Sequence, residues 1–238
     1  MTKMHLTFAA ALILNLSMAH AADFEKGMSA YEAGDYTTAL AEFTELASIG
    51  NAQAQFRLGL MHGYGRGTEA NSAESVRWIT LAAEQGLAPA QHRLGRIYHW
   101  GDGVDHDVAE AVKWYMLAAE QGYADAQYSL AGMYREGRGV EEDIVEAAGW
   151  YKLAAEQGLA RAQYSLSKLY FDGRGVEQNF TLAYIWSGVA LRNGYAGANL
   201  VHDDAAQQLV LAKALSKEQA IIQDCISENY QNCGVAND

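Results

Sequence analysis

Apolar residues recur along the chain at helical spacing, in blocks that are separated by short stretches rich in glycine. The segment from Asp125 to Tyr134 carries its apolar residues three or four positions apart, which places them on one face of a helix. The stretch 136–143 contains two glycines that can adopt the left-handed backbone that ends a helix. Asp143 and Glu146 then have the spacing of an N-terminal capping box, and the helix that they open ends at Gly158. This pattern predicts two helices joined by a glycine loop.

The predicted helix pair repeats every 36 residues. A tryptophan, an Ala-Gln pair, a leucine, two loop glycines and a closing glycine all keep this step. The tryptophans are Trp78, Trp114, Trp150 and Trp186. Recurrence at one position per unit is what stacking requires, because each helix pair must bury its apolar stripe against the next. We therefore interpret the tryptophans as packing residues and not as a nucleotide-stacking row, which would need basic partners.

The repeated motifs carry a family resemblance. Ala-Gln-Tyr-x-Leu, Tyr-x-x-Gly-x-Gly-Val, Ala-x-x-Trp-Tyr and Leu-Ala-Ala-Glu-Gln-Gly closely resemble the Sel-one-like repeat (SLR), a relative of the tetratricopeptide repeat (TPR). The resemblance is strong over 51–195 and weaker in the flanks. The fourth unit departs most, with Ala190-Leu-Arg-Asn-Gly194 in place of Ala-Ala-Glu-Gln-Gly. The resemblance implies an all-α fold, a right-handed α-solenoid of helix-turn-helix repeats that is used for protein–protein contacts.

The start of the chain has the organisation of a secretory signal peptide. Lys3 precedes a short apolar run from Leu6 to Met18, and Ala19 and Ala21 offer small residues at the cleavage positions. We predict cleavage after Ala21 and a periplasmic or secreted protein of bacterial type. The apolar run is too short to span a bilayer comfortably, so we expect no membrane anchor.

The remaining chain divides into three predicted segments. Residues 22–50 are expected to form an N-terminal TPR-like hairpin, 51–195 four repeats of 36 residues, and 196–238 C-terminal capping helices. Within the last segment the pattern predicts a helix from Asp203 to Leu215 and a capping box at Ser216 that opens the final helix. Solenoids need such atypical ends because their outermost faces meet water.

Composition and charge narrow the function classes. The chain has 17 Lys and Arg against 29 Asp and Glu, a net charge of −12, which argues against nucleic acid or anionic lipid as partners. One proline beside 23 glycines suits a chain of helices. Two cysteines, Cys225 and Cys233, are too few for a disulfide scaffold. In an oxidising compartment we predict that they form a disulfide that ties the tail to the last helix, with two free thiols as the alternative.

Function is expected where the repeats differ. In TPR-like solenoids the first helix of each pair lines the inner groove, and the resemblance implies the same here. The first helices (52–64, 88–100, 124–136 and 160–172) carry net charges of +1, +2, −1 and +1 in an acidic chain. Such a basic and aromatic groove suits an acidic or carboxylate-bearing protein or peptide, and ordinary solvated helix surface is the alternative. The candidate partner-binding residues are Arg57, Leu60, Tyr64, Arg93, Arg96, His99, Trp100, Arg135, Lys168 and Phe171.

Indications of an enzyme are few. Ser165-Leu-Ser-Lys168 matches the Ser-x-x-Lys motif of penicillin-recognising enzymes, and cysteine-rich relatives in the repeat family have been described as penicillin-binding. However, Ser165 aligns with Arg93 and Ser129, and neither Ser-Asp-Asn nor Lys-Thr-Gly occurs. We therefore expect a non-catalytic interaction scaffold or adaptor of the bacterial envelope. A β-lactam hydrolase is the alternative from another class, and a binder of glycans or peptidoglycan fragments would use the same arginines and aromatic residues.

Two polar clusters are also candidates for chemistry. The cluster of His99, Asp102, His106 and Asp107 could hold zinc, but loop polarity explains these residues equally well, and we predict no metal or cofactor. His202-Asp-Asp204 is expected at the start of a terminal helix, whose dipole favours acidic residues there.

Overall fold

The computed structural model describes residues 24–211 and 215–230, with the side chains of 211–220 excepted, and all regular elements in these ranges are helical. The predicted signal peptide, residues 1–21, lies outside the described residues. No helix within the described ranges is long and apolar enough to cross a membrane. The helices are α1 (24–32), α2 (Tyr36–Ser48), α3 (Ala52–Tyr64), α4 (Ser72–Glu84), α5 (Ala88–Trp100), α6 (Val108–Glu120), α7 (Ala124–Glu136), α8 (Ile144–Glu156), α9 (Ala160–Asp172), α10 (Phe180–Arg192), α11 (Asn199–Leu211) and α12 (Leu215–Ser227).

Side-chain caps start the second helix of each pair at the predicted positions. The Oδ1 atoms of Asn71, Asp107, Asp143 and Asn179 accept hydrogen bonds of 2.9–3.0 Å from the backbone N–H three residues on. These bonds satisfy N–H groups that have no partner within the helix, so the caps fix where α4, α6, α8 and α10 begin.

Loop glycines end the first helices and bring neighbouring repeats into close contact. Gly137 ends α7 with a φ of 63°, and Gly139 follows with a φ of 68°, both in the left-handed region. A Cβ added at Gly139 would lie 2.5 Å from the backbone oxygen of Val108, at the start of α6. Glycine is therefore required here both by the backbone conformation and by the space that is available.

The chain forms two compact units, which we call unit 1 (residues 24–106 of the described chain) and unit 2 (107–230 of the described chain). In unit 1 the buried core gathers around Phe43, Leu58 and Met61, and Trp78 packs against it. In unit 2 a core cluster contains Tyr151 and Trp186, and Trp150 packs at its edge. Trp186 is buried, whereas the other repeat tryptophans are only half-buried. The tryptophans are thus packing residues, but in α6 and α8 the fully buried aromatic residue is the tyrosine that follows.

Buried glutamines link successive helix pairs. The Nε2 atom of Gln127 donates to the carbonyl of Ala119 at 3.2 Å, and its Oε1 accepts from Gln157 at 2.8 Å. Gln163 makes the same two kinds of hydrogen bond, but its second partner is Asn193, at a position where the other repeats have glutamine. The hydroxyl of Tyr230 donates to the Oδ1 atom of this asparagine at 2.7 Å. The fourth repeat therefore departs from the pattern at the asparagine that accepts a hydrogen bond from the C-terminal segment.

The C-terminal helices differ from the prediction. Helix α11 begins at Asn199 and not at Asp203, because a 3-10 turn over Ala196–Ala198 leads directly into it. His202 therefore lies inside the helix, and the expectation that it marks the helix start is wrong. Ser216 likewise lies within α12, one residue after its first residue.

Cys225 is buried beside Ile185 and Val189 of α10. Its predicted partner Cys233 lies outside the described residues, so the disulfide stays a prediction.

Candidate functional site

The predicted binding residues of unit 1 lie on α3 and α5, and several of them surround one cavity. This unit 1 cavity has a volume of about 220 Å³ and is lined by Arg93, Arg96, Ile97, Trp100 and Asp102. It brings together three of the predicted residues, two arginines and the tryptophan. Trp100 is 70% exposed, the largest exposed fraction of a tryptophan among the described residues.

The cationic and aromatic groups of this cavity are held in place by their neighbours. The ring of Trp100 stacks on His99 with a centroid distance of 4.7 Å and an angle of 11°. The guanidinium of Arg93 lies 5.8 Å from the ring centre of Tyr64, and its Nη2 lies 3.9 Å from the Oδ2 of Asp102. The side chain of Arg93 is only 19% exposed, so less conformational entropy remains to be lost when a partner binds.

A second arginine also lies near the ring of Tyr64, and the sequence analysis missed it. Arg66 is the middle residue of a Gly-Arg-Gly loop, and its guanidinium lies 5.3–5.6 Å from the ring centres of Tyr31, Tyr36 and Tyr64. It also donates a hydrogen bond to the hydroxyl of Tyr31. The tyrosine ring at the end of α3 therefore has two cations within 6 Å of its centre. Arg57 and Leu60, on the same helix, are half-buried and do not line the unit 1 cavity.

Unit 2 has a cavity of its own, with a volume of about 270 Å³. It brings together the predicted residues Arg135 of α7 and Lys168 of α9. The full lining of this unit 2 cavity is Arg135, Tyr151, Tyr164, Ser165, Lys168, Leu169, Asp172 and Arg174. Arg174 is a further cation that the sequence analysis did not single out.

Phe171, in contrast, is not a cavity residue. Its ring contacts that of Phe180 edge-on with a centroid distance of 5.4 Å, and both pack against the cluster of Tyr184 and Leu209. Phe171 lies outside the lining of the unit 2 cavity because α9, α10 and α11 pack around its half-buried side chain, and its part in partner binding stays a prediction.

Two hydroxyl-bearing residues of the unit 2 cavity, Tyr151 and Ser165, are buried. Ser165 is 8% exposed, and its Oγ donates to the carbonyl of Arg161 at 3.0 Å. Tyr151 is 1% exposed, and burial raises its pKa to about 12. The Tyr151 hydroxyl therefore stays protonated at neutral pH. Ser165 and Lys168 share the cavity, but the serine proton points to a helix carbonyl and not to the lysine.

The two cavities occupy the same positions of the repeat. Residues 93, 96, 97, 100 and 102 are each separated by 72 residues, or two repeats, from residues 165, 168, 169, 172 and 174. In the repeat between them, Glu136 stands at the position of Trp100 and Asp172. Its carboxylate pairs with Arg135, and with the Nε of Arg138 at 3.0 Å.

The histidine and aspartate residues near the end of α5 do not assemble into a metal centre. Within the ranges that the structure describes, which include His99, Asp102, His106 and Asp107, no group of three or more His, Cys, Asp or Glu side chains could hold a metal ion.

Comparison with known proteins gives a consistent picture. The family model described as Sel1 repeat matches residues 52–87, 88–123, 124–159 and 160–195. Among solved structures, the chain is similar to a protective antigen of uropathogenic Escherichia coli strains that displays an SLR fold. The identity is 34%, the TM-score is 0.77, and the match covers 84% of this chain and 44% of the antigen chain. The chain thus spans less than half of that antigen's length.

Two further structures extend the comparison. A Sel1 repeat protein from Oxalobacter formigenes is 33% identical with a TM-score of 0.73, over 77% of this chain and 75% of that one. A Sel1 repeat protein from Klebsiella pneumoniae, at 23% identity and a TM-score of 0.50 over 79% and 93% of the two chains, shares the fold alone. No curated protein matches the chain. The predicted all-α fold of stacked helix-turn-helix repeats is confirmed.

Proposed function

The chain belongs to the Sel1 repeat family, and from this premise we propose that it is a non-catalytic scaffold that holds a segment of a protein or peptide partner on the first helices of its repeats. Sel1 repeat proteins generally act as scaffolds for protein–protein interaction. The predicted signal peptide places this role in the bacterial envelope or outside the cell. The description of the Escherichia coli relative as a protective antigen is in keeping with that location.

One observation carries the proposal: the unit 1 cavity combines two arginines with a tryptophan that is largely exposed and already stacked. Arginine and tryptophan are the residues that most often dominate the energy of protein interfaces. An exposed tryptophan is costly for a surface that only faces water, whereas it provides a large apolar contact for a partner. The arginines beside it favour a partner segment that carries a carboxylate.

The experiment selects binders without assuming the partner. A random peptide library displayed on phage is selected on the purified chain, and the selected peptides are then synthesised. The triple variant Arg93→Ala, Arg96→Ala, Trp100→Ala should bind them at least about a hundredfold more weakly, since loss of such anchors costs about 2 kcal/mol or more each. Its thermal unfolding should remain close to that of the original chain, because Arg96 and Trp100 are exposed.

A matched control removes the same types of group elsewhere in unit 1. The variant Lys26→Ala, Ile49→Ala, Arg77→Ala also loses two positive charges and one exposed apolar side chain, and it should bind the peptides as the original chain does. Equal loss in both variants would show that the effect is general charge, and no loss in the triple variant would remove the proposed site. If no peptide is selected and a glycan array retains the chain through the same three residues, the partner is a glycan and the proposal is wrong.

A further inference from the structure

The unit 2 cavity has a lining of different chemistry from that of the unit 1 cavity. We propose that the unit 2 cavity is a carboxylate-binding subsite, in which Lys168 and Arg174 bind an acidic side chain or the C-terminus of a peptide. This inference rests on the proposed function, because it takes a peptide as the ligand. It goes further by assigning a second site and the functional group that this site recognises.

The charge distribution carries the proposal. Both Lys168 and Arg174 are exposed, and neither has an ion-pair partner within the ranges that the structure describes. Arg135 adds a third cation, which is already paired with Glu136. The lining has three cations and one carboxylate, Asp172, in a chain whose net charge is −12. A concave surface of this sign attracts anions, and the two unpaired cations are available to bind one.

The inner surface of the cavity is polar but uncharged. Tyr151 and Ser165 are buried, and the Oγ of Ser165 donates to the carbonyl of Arg161. No further anionic group therefore lies beneath the exposed cations within the lining. An entering carboxylate would meet Lys168 and Arg174 at the opening and neutral hydroxyl groups below.

The size of the cavity indicates what it can hold. At about 270 Å³ it lies just below the range of roughly 300–1,000 Å³ that is typical of small-molecule sites, so it suits a single side chain or chain end. The cavity lies at the same positions of the repeat as the unit 1 cavity, along a first helix. This position supports a partner segment that also contacts the first helices of other repeats. In the unit 1 cavity the matching positions hold Trp100 and Asp102, whereas here they hold Asp172 and Arg174. With Arg135, Lys168 and Arg174 against Asp172, the unit 2 cavity has two cations in excess, whereas the unit 1 cavity, with Arg93 and Arg96 against Asp102, has one.

The test is an NMR titration of the full chain, labelled with ¹⁵N, with three short peptides. The first is Gly-Gly-Glu-Gly-Gly with both ends blocked, the second has glutamine in place of glutamate, and the third is all glycine with a free C-terminus. The glutamate peptide should shift the amide signals of Ser165, Lys168 and Arg174 with a Kd in the millimolar range, about tenfold below that for the glutamine peptide, as expected of one charge-assisted contact. The third peptide distinguishes the two sources of a carboxylate.

A matched pair of variants separates a site from general charge. Lys168→Ala with Arg174→Ala should raise the Kd for the glutamate peptide about tenfold, which corresponds to loss of one charge-assisted contact. Lys113→Ala with Lys152→Ala removes two exposed cations from the second helices of unit 2, and the Kd should change less than about twofold because these charges are screened by salt.

The inference is overturned if the glutamine peptide binds equally well, if the control pair weakens binding as much, or if the shifts lie elsewhere. Those outcomes leave the unit 1 test untouched, because that test depends on Arg93, Arg96 and Trp100. The two failures are therefore distinguishable.

Discussion

The two cavities lie at the same five positions of the repeat but offer different chemistry. In unit 1 the last residue of the first helix is Trp100 and the second loop residue after it is Asp102, whereas unit 2 has Asp172 and Arg174. The first position gives an exposed aromatic ring in one case and a carboxylate in the other. The repeated residues thus determine where a cavity forms, and the residues that differ between the two repeats, these two among them, determine what it can bind.

In the other two repeats the side chains at the same pair of positions contact each other. Tyr64 and Arg66 contact each other as ring and cation, and Glu136 and Arg138 form an ion pair of 3.0 Å. In both repeats the two side chains satisfy each other. A free binding site therefore requires that the two side chains at these positions do not bind each other, as in the repeats of Trp100 and Asp172.

The largest expected effect is on the packing between neighbouring repeats of unit 2. Gly139→Ala should destabilise the chain by about 3 kcal/mol, since the new Cβ would lie 2.5 Å from the Val108 oxygen in a left-handed backbone. Gly149→Ala, in the interior of α8, is the control. There an added Cβ meets no heavy atom within 4 Å among the described residues, and a gain of up to about 1 kcal/mol is expected. Urea unfolding followed by circular dichroism measures both, and a shift of the two in the same direction would contradict the argument.

The next effect is expected from substitutions that give the unit 1 cavity residues of the unit 2 cavity and leave the repeated packing residues unchanged. Trp100→Asp with Asp102→Arg gives the unit 1 cavity the residues of the unit 2 cavity at these two positions. Peptides selected on the original chain should bind at least about tenfold more weakly, because the aromatic anchor is lost. The blocked glutamate peptide should now shift the signals of Arg93 and Arg96. Trp100→Phe, which keeps an aromatic ring, should retain most of the binding, and an unchanged preference after the exchange would show that other positions decide it.

A smaller effect is expected on the pH dependence of local stability in unit 2. Burial lowers the pKa of His202 from its ordinary value of 6.5, although a hydrogen bond with the Tyr184 carbonyl and the charge of Asp203 act in the opposite direction. The folded chain thus favours the neutral ring, and the unfolded chain binds more protons as the solution becomes acidic. The stability contributed by the neutral ring is present above the unfolded pKa and is lost as the pH falls through the lower folded pKa.

The protection factors of the amides in α10 and α11 should therefore fall on going from about pH 7.5 to about pH 5.5, so that exchange slows by less than the intrinsic rates alone would give. His202→Phe keeps a ring against Tyr184 but cannot titrate, so its local stability should lose this dependence. The same dependence in the variant would assign the effect to another group.

The smallest expected effect concerns the serine of unit 2. A chromogenic β-lactam should not be turned over by the purified chain, because the Ser165 hydroxyl is directed to the Arg161 carbonyl. Ser165→Ala should change neither this result nor the stability by more than about 1 kcal/mol, the typical worth of one hydrogen bond. Turnover that disappears in the variant would contradict the assignment as a non-catalytic protein.

Local spacing predicted the parts of this molecule that depend on local contacts. The capping residues Asp143 and Asn179, the loop glycines and the helix pairs all follow from residues a few positions apart. The variable residues Arg93 and Trp100 were found in the same way, as departures from a repeating pattern. What spacing missed depends on contacts between distant segments. Phe171 packs against Phe180 and α11, and His202 packs on a residue 18 positions earlier.

The glutamine bonds also bear on how such a protein can change in length. Gln55, Gln127 and Gln163 each join a carbonyl eight residues earlier and a side-chain amide thirty residues later. A gene duplication or deletion of one whole 36-residue repeat would therefore leave the glutamines at the new junctions with the same types of hydrogen-bond partner. The exception is the last unit, where Asn193 receives Tyr230 instead. Evolution can lengthen or shorten this chain from within, but an addition beyond Asn193 would have to displace the tyrosine first.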